Sequence, residues 1–311
     1  MRSVPVTNKN KKFFSILYKQ RFILLMSIPF LIWMAIFMYR PMYGLLYAFQ
    51  NFNPTKGVLG SDWVGLKHFI RFFNMDETIQ AVRNTLVIAS SNLVLHNLVP
   101  VFFALLINEI FYNRFKRVIQ TISYLPHFVS FAVVSSIFVT MMSMNGPINA
   151  SLVNLGITEK PILFWANAPL FWILVPLINI WKEVGWAAII YLAAIAGINL
   201  EIYEASAVDG CNRIRKIWHV TLPGIIPTIV TLWVLSISGI ISAGFDPSYL
   251  LGNAANRSHS DVIDTLAYRY GLGMGQYSFS TAIGLMQMAI GFVVVAISNK
   301  LAKKLTDYSL W

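Results

Sequence analysis

Apolar positions in this chain come in long runs, with little of the short alternation that marks half-buried strands. A helix needs about 20 mainly apolar residues to cross a bilayer. Six runs meet that need: Phe22–Phe49, Asn84–Ile107, Gln120–Met142, Leu170–Gly197, Gly224–Phe245 and Ser280–Ser298. The pattern predicts an all-α polytopic membrane protein with six transmembrane helices. The first run contains Arg40-Pro41, where a kink is expected, with Arg40 reaching toward the interface. The third is interrupted by Pro126 and His127.

Composition agrees. The 311 residues are 57% hydrophobic and 12% charged, about half the charge of a soluble domain. Mean hydropathy is +0.62. The net charge of +11 would suit nucleic acid if it formed one face. Instead the basic residues sit in short clusters between the apolar runs, and those clusters set an orientation. With the N-terminus in the cytoplasm, the segments on that side carry 15 Lys and Arg: Arg2, Lys9, Lys11, Lys12, Lys19, Arg21, Arg114, Lys116, Arg117, Arg213, Arg215, Lys216, Lys300, Lys303 and Lys304. The opposite side carries 7, and Arg40 and Lys182 lie within runs. Both termini are therefore expected in the cytoplasm.

The organisation read from this pattern is a cytoplasmic lead-in (1–21), a six-helix membrane domain (22–298) and a cytoplasmic tail (299–311). The basic lead-in has no cleavage site behind it and reads as part of the protein, not a removed signal. External loops are expected at Gln50–Arg83, Ser143–Pro169 and Asp246–Phe279, where they either connect helices or contact a partner. Cys211, the single cysteine, excludes an intrachain disulfide and a cysteine metal site.

The segment between the fourth and fifth runs has its own pattern. Leu200–Asp209 reads as a short helix, with Ala205, Ala207 and Val208 on an apolar side and Glu201 and Glu204 near its start, where the helix dipole favours acids. Gly210 suits the left-handed turn that ends a helix. A second helical stretch carries Ile214, Ile217 and Trp218 at i, i+3, i+4 beside Arg213, Arg215 and Lys216, and Pro223 is expected to close it. Composition allows two readings: a compact knob between two spans, or an amphipathic loop lying on lipid headgroups.

The segment resembles the EAA loop of binding-protein-dependent ABC importers (permeases with a MetI-like transmembrane domain). That pattern is EAA, three residues, Gly, nine residues, Ile, one residue, Leu-Pro. Here it reads Glu204-Ala205-Ser206, Gly210, Val220, Leu222-Pro223, with Ser206 and Val220 as the departures. Arg40-Pro41-Met42-Tyr43-Gly44, Trp63-Val64-Gly65-Leu66, Asn84-Thr85-Leu86, Tyr124-Leu125-Pro126-His127 and Tyr308-Ser309-Leu310-Trp311 are similar to the oligosaccharide and polysaccharide branch, the LplB-like permeases. The resemblance implies a short coupling-helix pair that docks on an ATPase through Glu204, Ala205, Ser206, Asp209, Gly210, Leu222 and Pro223. It implies a heterodimer with a second permease, two ATPase subunits, an external solute-binding protein and an oligosaccharide substrate. No cofactor is expected here: Gly271–Gly275 lacks the lysine of a phosphate-binding loop, so ATP and magnesium would sit on the partner.

Within the fourth run, Lys182 and Glu183 are ionisable groups at membrane depth, which face a water-filled path or a neighbouring helix. Being adjacent, about 100° apart on a helix, they are expected not to pair. Trp181, Trp186, Asn179 and Tyr191 complete the candidates for a sugar pathway, against packing as the alternative. Asn199 joins them as an amide donor. His127 reads as a hydrogen-bonded packing residue. Met141, Met142 and Met144 read as apolar filler, and no metal site is expected. No nucleophilic arrangement of Ser, His and Asp is present, so a transport subunit is expected and not an enzyme. An ion-driven carrier would use the intramembrane charges but leaves the knob without a role. A further alternative is a membrane enzyme or a scaffold subunit of a sensory complex; an enzyme would need a polar cluster at one membrane face, and the spans hold few acidic residues.

Overall fold

A computed structural model describes residues 19–238 and 244–306. Residues 1–18, 239–243 and 307–311 lie outside that description. With them go four of the basic lead-in residues, the end of the predicted fifth span and the Tyr308–Trp311 motif.

Helix α1 (Arg21–Met34) passes into a π turn at Ala35–Tyr39 and a 3-10 stretch at Arg40–Phe49, so the change of helix type falls at Arg40-Pro41. No residue of Arg21–Tyr39 is buried. Strands β1 (Gln50–Asn51) and β2 (Asp62–Trp63) pair antiparallel, with Gln50 opposite Trp63. Helix α2 (Lys67–Asn74) leads into α3 (Asp76–Asn108), 33 residues long, which opens on Asp76 and Glu77 as the helix dipole favours.

The predicted third span is not continuous. Helix α4 (Asn113–Tyr124) ends in a 3-10 turn at Leu125–Phe128, and α5 (Phe131–Met141) leaves at 102° to it. Pro126 has no N–H to continue the ladder, and Ser130 starts the new helix by accepting from Val133 N at 3.4 Å. Helix α6 (Pro147–Asn154) follows, then α7 (Phe171–Ala196). Next come α8 (Leu200–Val208), α9 (Arg213–Lys216), a π turn at Ile217–Thr221, and α10 (Leu222–Ser238). Helices α11 (Phe245–Leu251), α12 (Arg257–Ser260) and α13 (Ile263–Tyr268) precede the last long helix, α14 (Tyr277–Thr306). Five stretches are long and apolar enough to cross a membrane: Arg21–Phe49, Asp76–Asn108, Ala168–Ala196, Arg213–Ser236 and Tyr277–Ile297. The bent α4–α5 pair makes a sixth when taken as one.

Helix α3 is the central post. Its first third packs Ala81 with Phe72, Ile263, Leu266, Phe279 and Ile283. Further along, Ile88 packs with Val134, Phe171, Val175, Ile178 and Leu251. Its last third packs Val101, Ala104 and Leu105 with Ala188, Tyr191, Ile195 and Ile225. Where α7 crosses α4, a Cβ on Gly185 would overlap the Ser123 carbonyl oxygen. Glycine lets the two backbones touch, as small residues do at crossings inside membranes.

Candidate functional site

Two features stand out: a knob between α7 and α10, and a polar cavity midway along the bundle. The knob begins at Asn199, whose Oδ1 accepts from Glu201 N at 3.0 Å, a cap worth about 1 kcal/mol. So Asn199 belongs to the knob and not to a pathway. At the other end of α8, Gly210 N donates to Ala207 O at 3.1 Å and Cys211 N to Ser206 O at 3.0 Å. This double closure requires a left-handed residue between, and Gly210 has φ +73°. Space around a Cβ there is open, so backbone conformation and not crowding selects glycine.

The knob is tied inward by Tyr203 Oη, 2.9 Å from Thr221 Oγ1, and by Ser206, which is buried and donates to Tyr203 O at 2.7 Å. Arg213 lies 3.7 Å over the Phe111 ring, joining the knob to the α3–α4 turn. Outward, Glu204, Ala205, Asp209 and Gly210 are all exposed, as are Leu200, Ile202, Ile214 and Trp218, and Val208 is 88% exposed. The apolar side expected from Ala205, Ala207 and Val208 therefore faces away from the protein. A concentrated exposed apolar patch on so small an element is the mark of a contact surface.

Pro223 does not close the second helix. The π turn at Ile217–Thr221 widens the hydrogen-bond register, and α9 runs through it into α10 as one helix from Arg213. A proline beside that turn takes away a donor the local ladder can spare. Leu222 is half-buried and packs on the last-third cluster of α3, and Pro223 is exposed.

The cavity holds about 650 Å³ and is lined by α3, the α4–α5 bend, α7, α10 and the start of α11. Asn179, Lys182 and Glu183 line it. Contrary to the expectation from helix geometry, Lys182 Nζ is 2.9 Å from Glu183 Oε1. Both are long enough to swing to a common partner. Lys182 Nζ also donates to His127 O at 2.8 Å, and Glu183 Oε2 lies 2.6 Å from His127 Nδ1. The two charges thus grip both the backbone and the ring of His127 at the broken helix, where a carbonyl has lost its helical donor.

Trp186 stacks on the His127 ring, centroids 4.4 Å apart and planes within 1°. Trp181 turns away from the cavity, edge-on to Phe138 at 5.3 Å. Tyr191, 2% exposed, is a core residue packed with Ala104, Ala188 and Ile225. Sequence reading missed the wall contributed by α3. Asn92 and Asn97 are buried, Asn179 Nδ2 donates to Asn92 Oδ1 at 3.3 Å, and Asn97 Nδ2 donates to Ser236 Oγ at 2.9 Å. His96 lines the cavity with its Nε2 buried and unpartnered among the described residues. A signal was present: Asn92, His96 and Asn97 are large polar side chains clustered within six residues of an apolar-rich span, and all three line the cavity. Among the described residues no cluster of His, Cys, Asp and Glu could hold a metal ion.

Comparison with known proteins gives a consistent answer. A family described as "Binding-protein-dependent transport system inner membrane component" matches residues 96–307. The Bacillus subtilis polygalacturonan/rhamnogalacturonan transport system permease protein YteP is 41% identical over 303 residues, 97% of this chain and 94% of that protein. Protein LplB of the same organism is 39% identical over 313 residues, covering 100% of this chain and 98% of that one. A solved bacterial ABC transporter involved in the import of the acidic polysaccharide alginate has a chain that superposes with a TM-score of 0.86. It is 34% identical, over 95% of this chain and 99% of that one. A second structure, in which that transporter is in complex with an alginate pentasaccharide-bound periplasmic protein, gives a TM-score of 0.85 at 33% identity.

Proposed function

The chain belongs to the family of binding-protein-dependent transport system inner membrane components, and on that footing we propose that it carries an oligosaccharide through the membrane for an ATP-driven importer. It is a permease subunit and not an enzyme. It works with a second permease, ATPase subunits and an external solute-binding protein that delivers the sugar. The observation carrying this reading is the near full-length similarity, 41% over 97% of the chain, to a polygalacturonan/rhamnogalacturonan transport system permease. The alginate importer, crystallised with its sugar-loaded periplasmic protein, supports the partner set.

The knob is the ATPase-docking element, with Glu204, Ala205, Asp209 and Gly210 at its surface, Ser206 bracing it from within, and Leu222 and Pro223 at its root. The excess of Lys and Arg near that end supports a cytoplasmic knob and cytoplasmic termini. ATP binding draws the two ATPase subunits together, and each docked knob moves with its ATPase subunit. The helices then rock between inward-open and outward-open states. This chain binds no cofactor of its own; ATP and magnesium act on the partner.

Asn179, Lys182 and Glu183 belong to the pathway wall, and Asn92, His96, Asn97 and Ser236 join them. Amide and imidazole groups suit sugar hydroxyls. The Lys182–Glu183 pair also fixes the α4–α5 bend, and Trp186 acts through His127. Trp181 and Tyr191 serve packing. Proteoliposomes containing the assembled importer test the reading: ATP and binding protein together should drive uptake of a radiolabelled oligosaccharide. Uptake driven by an ion gradient without ATP would overturn it.

A further inference from the structure

A second cavity, of about 260 Å³, lies between α11, α12 and α13, at the end of the bundle away from the knob. Its wall combines two kinds of group. Tyr249 and Tyr268 are exposed rings 5.1 Å apart and near perpendicular, with Phe245 5.3 Å from Tyr249 and 5.6 Å from Tyr268. Arg257 and Arg269 line the same space, with Asn253 beside them.

The two arginines differ. Arg269 is bound by Asp261 Oδ2 at 2.5 Å and Glu77 Oε2 at 3.1 Å. Burial opposes its charge, and the two carboxylates outweigh that, so its pKa is raised. Arg257 is exposed and makes no ion pair among the described residues. The cavity therefore has one neutralised guanidinium that shapes it and one uncommitted guanidinium at its edge. Hydrogen bonds tie the framework together. Thr265 Oγ1 donates to Asp261 Oδ1 at 2.6 Å, and Asn256 and Asn253 both donate to Trp165 O, at 3.0 and 2.8 Å.

Position adds to chemistry. Helix α11 lines both cavities, giving Asp246 and Pro247 to the larger and Ser248 and Tyr249 to the smaller. The two cavities thus share α11 as a wall.

We infer that this cavity is an entry subsite for a sugar bearing a carboxylate, a uronic acid unit, with Tyr249 and Tyr268 as an aromatic corner for the sugar to rest against and Arg257 as the carboxylate ligand. Aromatic faces hold the apolar CH face of a pyranose, and a guanidinium offers two parallel donors to a carboxylate. A neutral sugar gains the rings but not the arginine. The inference rests on the oligosaccharide-permease reading and names its substrate class.

The test uses the complete importer, with binding protein and ATPases, in proteoliposomes. The probes are a trimer of galacturonic acid and its carboxyl-reduced, neutral counterpart. Arg257→Gln should raise the KM for the acidic trimer about tenfold, as expected for losing one charge-assisted contact. It should leave uptake of the neutral trimer and the basal ATPase rate unchanged. Tyr268→Ala should weaken uptake of both trimers, and Arg257→Lys should restore part of the acidic preference. Equal loss of both trimers in Arg257→Gln would mean a docking contact for a protein partner and would overturn the inference. So would an unchanged KM for both, or an effect that appears only when the vesicles contain anionic lipid. Failure of the wild-type importer to move either trimer, with ATPase activity intact, would instead count against the oligosaccharide reading itself.

Discussion

At the scale of single residues, Gly210 and the Lys182–Glu183–His127 group carry the sharpest expectations. Gly210 is needed for its φ of +73° and not for room. A β-branched residue forced into that region costs about 1–2 kcal/mol and opens the closure of α8. Gly210→Val should abolish most uptake while the protein still reaches the membrane at normal levels by immunoblot. Gly210→Asn, which tolerates the left-handed region, should keep a substantial part of it; normal uptake by Gly210→Val would remove the residue from the docking element. At the cavity, Lys182→Met strands Glu183 against a single partner and leaves the His127 carbonyl without its donor, a loss of about 1–3 kcal/mol. Uptake should fall several-fold for Lys182→Met and Glu183→Gln, with co-purification of the ATPase subunit unaffected. Unchanged uptake in both would take the pair out of the transport cycle.

The same group shows where residue-level reading from sequence stops. Two adjacent side chains on a helix diverge at Cβ, which argued against pairing. They converge because the broken α4–α5 helix presents a bare carbonyl and an imidazole between them, and nothing local announces that neighbour. Tyr191 falls to packing, the alternative its sequence context left open. An aromatic with a hydroxyl in a span invites a sugar-binding role, yet its place on α7 turns it into the α3 interface.

At the scale of elements, the spans were legible because a bilayer demands length and apolarity together, and few sequences supply both by chance. Proline was the weaker guide. Pro126 breaks its helix by 102°, whereas Pro223 sits beside a π turn and interrupts nothing. The difference lies in register, which sequence does not display. The knob itself was legible from Leu200 to Gly210, since first-turn acids and a left-handed glycine act locally; the cap at Asn199 was not read there. Continuity between knob and α10 has a measurable consequence. The double substitution His219→Gly and Val220→Gly should soften the junction. ATP hydrolysis by the assembled importer should persist while uptake per ATP falls severalfold. Proportional loss of both rates would point to misassembly.

At the scale of the whole molecule, the unburied helix at Arg21–Tyr39 and the exposed knob describe a protein that is finished only in company. Affinity purification of the tagged chain from native membranes should bring down an ATPase subunit and a second permease, and no kinase. The composition foretold a membrane protein, and the motif spacing foretold an importer. The two cavities were hidden because their walls come from positions scattered between Ala89 and Gly273, brought together by packing alone.

The uninterrupted helix from Arg213 to Ser236 spans 24 residues, a rod of about 36 Å. On the docking role proposed above, one end of that rod is held at the knob, and the other reaches the large cavity at Ser236. A tilt of about 10° about its lower end would sweep Ser236 through an arc of about 6 Å, enough to separate it from Asn97. The helix stays continuous past both Pro223 and Pro227, so on that proposal a swing at the knob is carried toward the cavity and not absorbed at a break.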